Sequence, residues 1–237
     1  MSLTLIIIIA VVAGVAVLSF LLAIANFSYD RFMERYEYFD KIAINSRFSV
    51  IEYIDYLNKK FFDSRIKIVQ ISNIAGDAYS SGKLFLSTKT LNTNSVASFT
   101  IVSHELGHAL QDKEGNKLKR LHSLKRIVKI LGYLMTPSII AGGVLAIIGS
   151  DLFIPGLVLI GFGVFIFLLA LFMKLMTISI EKDASKKALI FLKEVTDNRQ
   201  VRQCKKFLND ARMTYWGDFL RIVLFWTAMS KKPKLFN

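Results

Sequence analysis

Long uncharged apolar runs alternate with mixed, charged stretches along the chain, and that alternation sets the predicted elements. Residues 3–27 form an apolar run without a charged side chain, longer than the ~20 residues a helix needs to cross a bilayer. A cleaved secretory signal would carry a basic residue ahead of a shorter apolar core. No Lys or Arg precedes this run, so an uncleaved membrane anchor is expected over residues 1–28. From Tyr29 onward polar and apolar positions mix. Residues 49–62 carry Val50, Ile51, Ile54, Leu57 and Phe61 at helical spacing. Residues 66–72 alternate and are β-branched, which predicts a short strand. Residues 73–82, with Gly76, Asp77 and Gly82, read as loop and turn. A second short strand is expected at residues 83–87. Asn94 is the predicted cap of a helix carrying Val96, Phe99, Val102, Leu106 and Leu110, with Gly115 as its stop.

Two further apolar stretches, about 127–149 and 154–173, are separated only by a short interruption at 150–153. The link between them holds a single charge, Asp151, whereas both outer flanks are basic. That asymmetry predicts a membrane hairpin over 127–175 with its tip outside and both ends inside. Gly142, Gly143, Gly149, Gly156, Gly161 and Gly163 would let its helices pack closely. An amphipathic helix is expected to continue from the third span through about residue 195. The segment 176–212 is then cytoplasmic and helical, and 213–237 is either a fourth span or an interfacial helix with a basic tail. Asp218 and Arg221 make a full span there expensive. The remaining region, 29–126, is the expected cytoplasmic catalytic part.

Composition changes this picture little. Apolar residues make up 53% of the 237, and Lys and Arg number 31 against 18 acidic residues, a formal charge of +13. In a soluble protein that excess would point to nucleic acid. Here the basic residues flank apolar runs, as cytoplasmic anchors facing anionic lipid do, and no nucleic-acid partner is expected. The single cysteine, Cys204, excludes an intrachain disulfide.

The candidate chemistry is concentrated in the helix after Asn94. His104 and His108 lie one helical turn apart, so both imidazoles can reach one metal ion, and Glu105 stands beside them as a base for water. This is the His-Glu-x-x-His arrangement of zinc peptidases. Its neighbours Ile101, Val102, Leu106, Gly107, Ala109 and Leu110 are small or apolar, as a buried metal-binding helix requires. Such a site needs a third protein ligand. Glu114 would point away from the metal face of a continuing helix, and His122 qualifies by residue type only. Glu181, at the cytoplasmic mouth of the third span, is returned by the hairpin to the depth from which the chain left. Asp183 is expected to orient a ligand.

These residues give the chain a family likeness. The helix Ser-His-Glu-Leu-Gly-His-Ala-Leu-Gln from Ser103 to Gln111 resembles the active-site helix of the YugP-type neutral zinc metallopeptidases of bacterial membranes. That group is itself similar to the HtpX and CAAX prenyl proteases. The turn and strand at 82–87, the glycine-rich hairpin, Glu-x-Asp-Ala-Ser at 181–185 and Thr214-Tyr215 extend the likeness over most of the chain. Ser185 departs from the aspartate of the HtpX type. The resemblance implies a mainly α integral membrane protein with a small α+β zincin-like catalytic domain. It also implies zinc (Zn2+) held by His104, His108 and Glu181, with Glu105 as catalytic acid and base. A polypeptide substrate, membrane proteins included, would be cleaved on the cytoplasmic side of the plasma membrane. A prenyl-protein-type endoprotease and a non-catalytic membrane scaffold retaining the motif are the rival functions. Leu84, Phe85 and Leu86 are expected to receive extended substrate by strand addition.

Overall fold

The computed structural model describes residues 3–72, 76–115 and 117–223. Among the described residues, seven helices and three short strands follow one another as α1 (Leu3–Asp40), α2 (Val50–Phe62), β1 (Lys67–Ile71), β2 (Ala78–Ser80), β3 (Lys83–Ser87), α3 (Thr88–Asn92), α4 (Val96–Glu114), α5 (Lys117–Ile148), α6 (Phe153–Lys193) and α7 (Asn198–Val223), with a short 3-10 turn at Ser150–Leu152 between α5 and α6. Three of the helices contain stretches long and apolar enough to cross a membrane: Val12–Asp40, Ser123–Ile148 and Ser150–Lys193. The described residues form two compact units. One joins the chain up to Gly115 with the chain from Glu181 onward; the other holds the residues between.

In the first unit the apolar helix of the N-terminus does not stop at Phe27 but continues to Asp40. Its last turns bury Phe32, Tyr36 and Phe39, whose rings gather around Phe207 of α7, with Phe32 stacked on it at 5.4 Å. Arg31 and Arg35 reach Asp210 of α7 at 3.4 and 3.5 Å. Helix α2 starts in a capping box: the Ser49 side chain accepts from the Glu52 N–H, and Glu52 accepts from the Ser49 N–H. That reciprocal pair satisfies two otherwise orphaned donors. Tyr53, Ile54 and Leu57 are buried from it, whereas Ile51 is 53% exposed, so the buried stripe is narrower than the apolar pattern suggested.

The sheet has the order β1-β3-β2, β1 running parallel to β3 and β2 antiparallel to it. Two of the strands are those expected; β2 lies inside the stretch read as loop. Strand β3 therefore occupies the middle, with Leu84 and Leu86 fully buried. Its β1 edge is bonded along its whole length, and on the other edge β2 covers Lys83 to Phe85 while Asp77 takes the Ser87 N–H. A substrate strand cannot add at Leu84, Phe85 and Leu86, because those backbone groups already have partners. The cap of α4 is also shifted by one: Ser95 accepts from the Ser98 N–H, and Asn94 instead accepts from the Val50 N–H. Gly115 ends the helix as expected.

The second unit contains α5 and the first part of α6. A Cβ on Gly142 would lie 2.6 Å from the Gly156 carbonyl oxygen, and one on Gly156 equally close to that of Gly142. Only glycine permits that mutual approach of two backbones. Gly143, Gly149 and Gly161 face open space and play no such part. Large apolar side chains point outward on both helices, among them Ile147, Val158, Phe165 and Leu168, a surface suited to lipid rather than water.

Candidate metal centre

Helix α4 is buried on every side from Val96 to Ala109, as expected of a helix packed on all faces. Tyr53 of α2 stacks on Phe99 at 4.8 Å and its hydroxyl meets the Ser103 Oγ at 2.7 Å. The hydroxyls of Thr100 and Ser103 also bond back to the carbonyls four residues earlier. That local bonding makes buried hydroxyls tolerable in a helix.

The histidine face of α4 meets the C-terminal part of α6 inside the first unit, and the pairs advance in step along both helices. His104 Nε2 lies 3.1 Å and His108 Nε2 3.3 Å from one oxygen, Oε2 of Glu181. Lys187 pairs with Glu114 at 2.7 Å. Between these, Gly107 permits contact: a Cβ there would sit 2.5 Å from the Ala184 carbonyl oxygen. Gly107→Ala should therefore push α6 off α4, at a cost of about 1–3 kcal/mol as in other overpacked cores. A lower thermal midpoint in detergent would register it; an unchanged midpoint would mean that the helices do not approach so closely.

Both histidines are held on their far sides. His108 Nδ1 shares a 2.9 Å hydrogen bond with Gln111 Oε1, while Gln111 Nε2 donates to Asp183 Oδ2 at 2.8 Å. Asp183 thus acts on His108 through Gln111, which the sequence reading did not single out. Ser185 lies 3.4 Å from His104 Nδ1 and donates to the Glu181 carbonyl at 2.8 Å. Where the HtpX type has an aspartate, the shorter hydroxyl reaches the imidazole on its own. Glu105 presents its two oxygens to different surroundings. Oε2 accepts from the Tyr79 N–H of β2 at 2.7 Å, and Oε1 is buried without a hydrogen-bond partner.

Burial governs the protonation of these groups. It pushes the Glu105 carboxyl up to about 8 and holds His104 below the ordinary imidazole value, more strongly than the nearby Glu181 carboxylate lifts it. At His108 burial also opposes the charge, but the Glu181 carboxylate overcomes it and raises the imidazole to about 9.

The ligand atoms of His104, His108 and Glu181 all lie within 4.8 Å of one another and are buried. His108 Nε2 makes no hydrogen bond despite its burial. Two imidazole nitrogens and a carboxylate oxygen gathered this closely fit a cation placed between them, and the donor types are those of catalytic zinc. Glu114 is turned to Lys187 and takes no part. The side chain of His122 and residues 224–237 lie outside the described residues.

Comparison with known proteins agrees with the donor set. A family model described as "Putative neutral zinc metallopeptidase" matches residues 5–229. The chain is 32% identical over 124 residues to the "Putative membrane protease YugP" of Bacillus subtilis (strain 168). That match takes in 51% of each protein, so the chain spans about half the length of the curated relative it matches. No solved structure matches.

Proposed function

This chain belongs to the neutral zinc metallopeptidase family, and we propose that it is a multi-pass membrane zinc endopeptidase that hydrolyses membrane-associated or misfolded proteins. The supporting observation is the convergence of His104 Nε2 and His108 Nε2 on Glu181 Oε2 beside a carboxylate with one unpartnered oxygen. In this reading residues 29–126 and 176–212 supply a small zincin-like catalytic domain. Residues 1–28 and 127–175 are the membrane segments, and their basic flanks put the site on the cytoplasmic side.

His104, His108 and Glu181 would hold the zinc, leaving a coordination position for substrate or water. Zinc supplies Lewis acidity that polarises a carbonyl and acidifies water. Glu105 does the proton work. The Tyr79 N–H fixes Oε2, so Oε1 is the atom that takes the proton of the attacking water and delivers it to the departing amine. Raising the Glu105 carboxyl by burial suits it to both halves of that exchange; the cation, once present, pulls it back toward the ionised form. Gln111 with Asp183, and Ser185 on the other imidazole, orient the two histidines.

The reading is tested on the full chain purified in detergent. It should carry zinc, cleave casein, lose that activity to phenanthroline and recover it on adding zinc. Purified protein without zinc, or cleavage indifferent to the chelator, would sink the proposal.

A further inference from the structure

Strand β2 is three residues long and lies at the edge of the sheet. A ladder that short holds a strand only weakly. Yet β2 carries the Tyr79 N–H that fixes Glu105 Oε2 at 2.7 Å, and an N–H that drifts cannot hold a carboxylate still. The side chain of the same residue supplies a second fastening. Its hydroxyl donates to Asp112 Oδ2 of α4 at 3.0 Å and accepts the Gly82 N–H at 3.0 Å. Asp112 stands seven residues after Glu105, which on a helix is two turns along the same face. Tyr79 therefore grips one face of α4 at two points, its backbone at Glu105 and its phenol at Asp112. The Gly82 bond ties the turn into that grip: Ser81 and Gly82 have φ of 47° and 78°, the left-handed backbone of a tight two-residue hairpin. The ring is buried, and burial pushes its hydroxyl up to about 12, so the phenol remains the donor at neutral pH. The hairpin itself does not need the phenol, since β2 pairs with β3 through backbone groups from Ala78 to Ser80. What the phenol adds is the position of the strand on α4.

Resting on the zinc-peptidase reading, we propose that Tyr79 and Asp112 are a positioning pair for Glu105. Their side-chain bond holds β2 against α4, so that Oε2 stays on the Tyr79 N–H and Oε1 is left to carry the proton. The pair acts through the strand rather than on the substrate. Proton transfer requires the base within hydrogen-bond reach of the water, and a misplacement of about 1 Å costs up to about 10² in rate. A carboxylate released from the Tyr79 N–H is free to turn, and loses that aim without leaving the site.

The experiment uses the full chain in detergent. Tyr79→Phe, Asp112→Ala, Asp112→Asn and the Tyr79→Phe/Asp112→Ala double variant are set beside wild type, and Tyr79→Phe/Glu105→Gln beside Glu105→Gln. Cleavage kinetics, zinc content, thermal midpoint and hydrogen exchange of the residue 79 amide are measured. Tyr79→Phe and Asp112→Ala should each lower kcat about 10-fold, part of what a general base contributes, with KM and zinc as in wild type. The residue 79 amide should exchange about 10-fold faster in both, as in a strand that opens more often. Asp112→Asn keeps an acceptor oxygen and should recover most of the rate lost in Asp112→Ala. The double variant should be no slower than either single one, because all three lose the same bond. Tyr79→Phe should slow Glu105→Gln no further, the group it positions being gone. Wild-type kcat and exchange in both single variants would overturn the pairing, as would losses that add, or an asparagine no better than alanine. Further slowing in the Glu105→Gln background would overturn the action through Glu105. Loss of zinc, or unfolding at the assay temperature, that accounts for the lost rate would reduce the pair to a structural contact. A wild type without zinc or cleavage would instead remove the peptidase reading, and the positioning role with it, whatever the amide exchange.

Discussion

Replacing Glu105 with glutamine should reduce peptide cleavage about 10³-fold while the protein keeps its zinc, general acid–base groups being worth 10²–10⁴. The two effects separate because the carboxylate is not among the three groups that converge on the metal position. The substitution preserves shape, and the amide can still accept the Tyr79 N–H through its oxygen. What disappears is the proton-accepting power of the unpartnered oxygen. Stability should hold or rise, because the buried carboxyl that burial already pushes up to about 8 is replaced by a neutral group. The sign with pH follows. A carboxyl raised above its unfolded value weakens the metal-free fold as pH rises through the unfolded value toward 8, and Glu105→Gln should remove that contribution. Zinc loading by mass spectrometry and casein cleavage on the same preparations decide the matter. A glutamine variant that cuts like wild type would mean that the proton is carried elsewhere.

The sequence made the helices easier to read than the site. Uninterrupted apolar runs announce membrane-length helices by length alone, and the helical spacing of Val50, Ile54 and Leu57 announces α2. Strand β2 was hidden because three residues between glycines and serines carry no alternation to detect, and its partner β3 was consequently taken for an open edge. The step from Asn94 to Ser95 as the cap could not be read locally, since both residues can cap and the choice depends on Val50, which takes the Asn94 oxygen. In the site, His104, Glu105 and His108 declare themselves through their spacing. Gln111 and Ser185 do not, because each acts across a contact between elements that no short pattern encodes. Gln111 was the more accessible of the two: it lies three residues after His108 on the same helical face, where a side-chain contact is geometrically favoured.

The group that most needs testing stands 77 positions from His104 in sequence. Glu181→Gln should strip zinc from the protein, with affinity falling by more than the 10- to 100-fold seen when outer partners of a metal site are removed. An amide of the same size leaves the packing of α6 on α4 intact, including the Gly107–Ala184 approach, so the loss can be assigned to the ligand rather than to a displaced helix. The charge lost matters as well. The Glu181 carboxylate is what lifts the His108 imidazole to about 9, so in the variant that imidazole should titrate lower. The drop in zinc affinity would then appear despite a histidine that is more readily neutral, which is the form a metal requires. His122→Ala is the matched control, because His122 is the one histidine outside the motif. It should leave zinc content unchanged. A zinc-replete Glu181→Gln beside a zinc-depleted His122→Ala would reassign the third ligand, and with it the role of the chain between α4 and the end of α6 in closing the site.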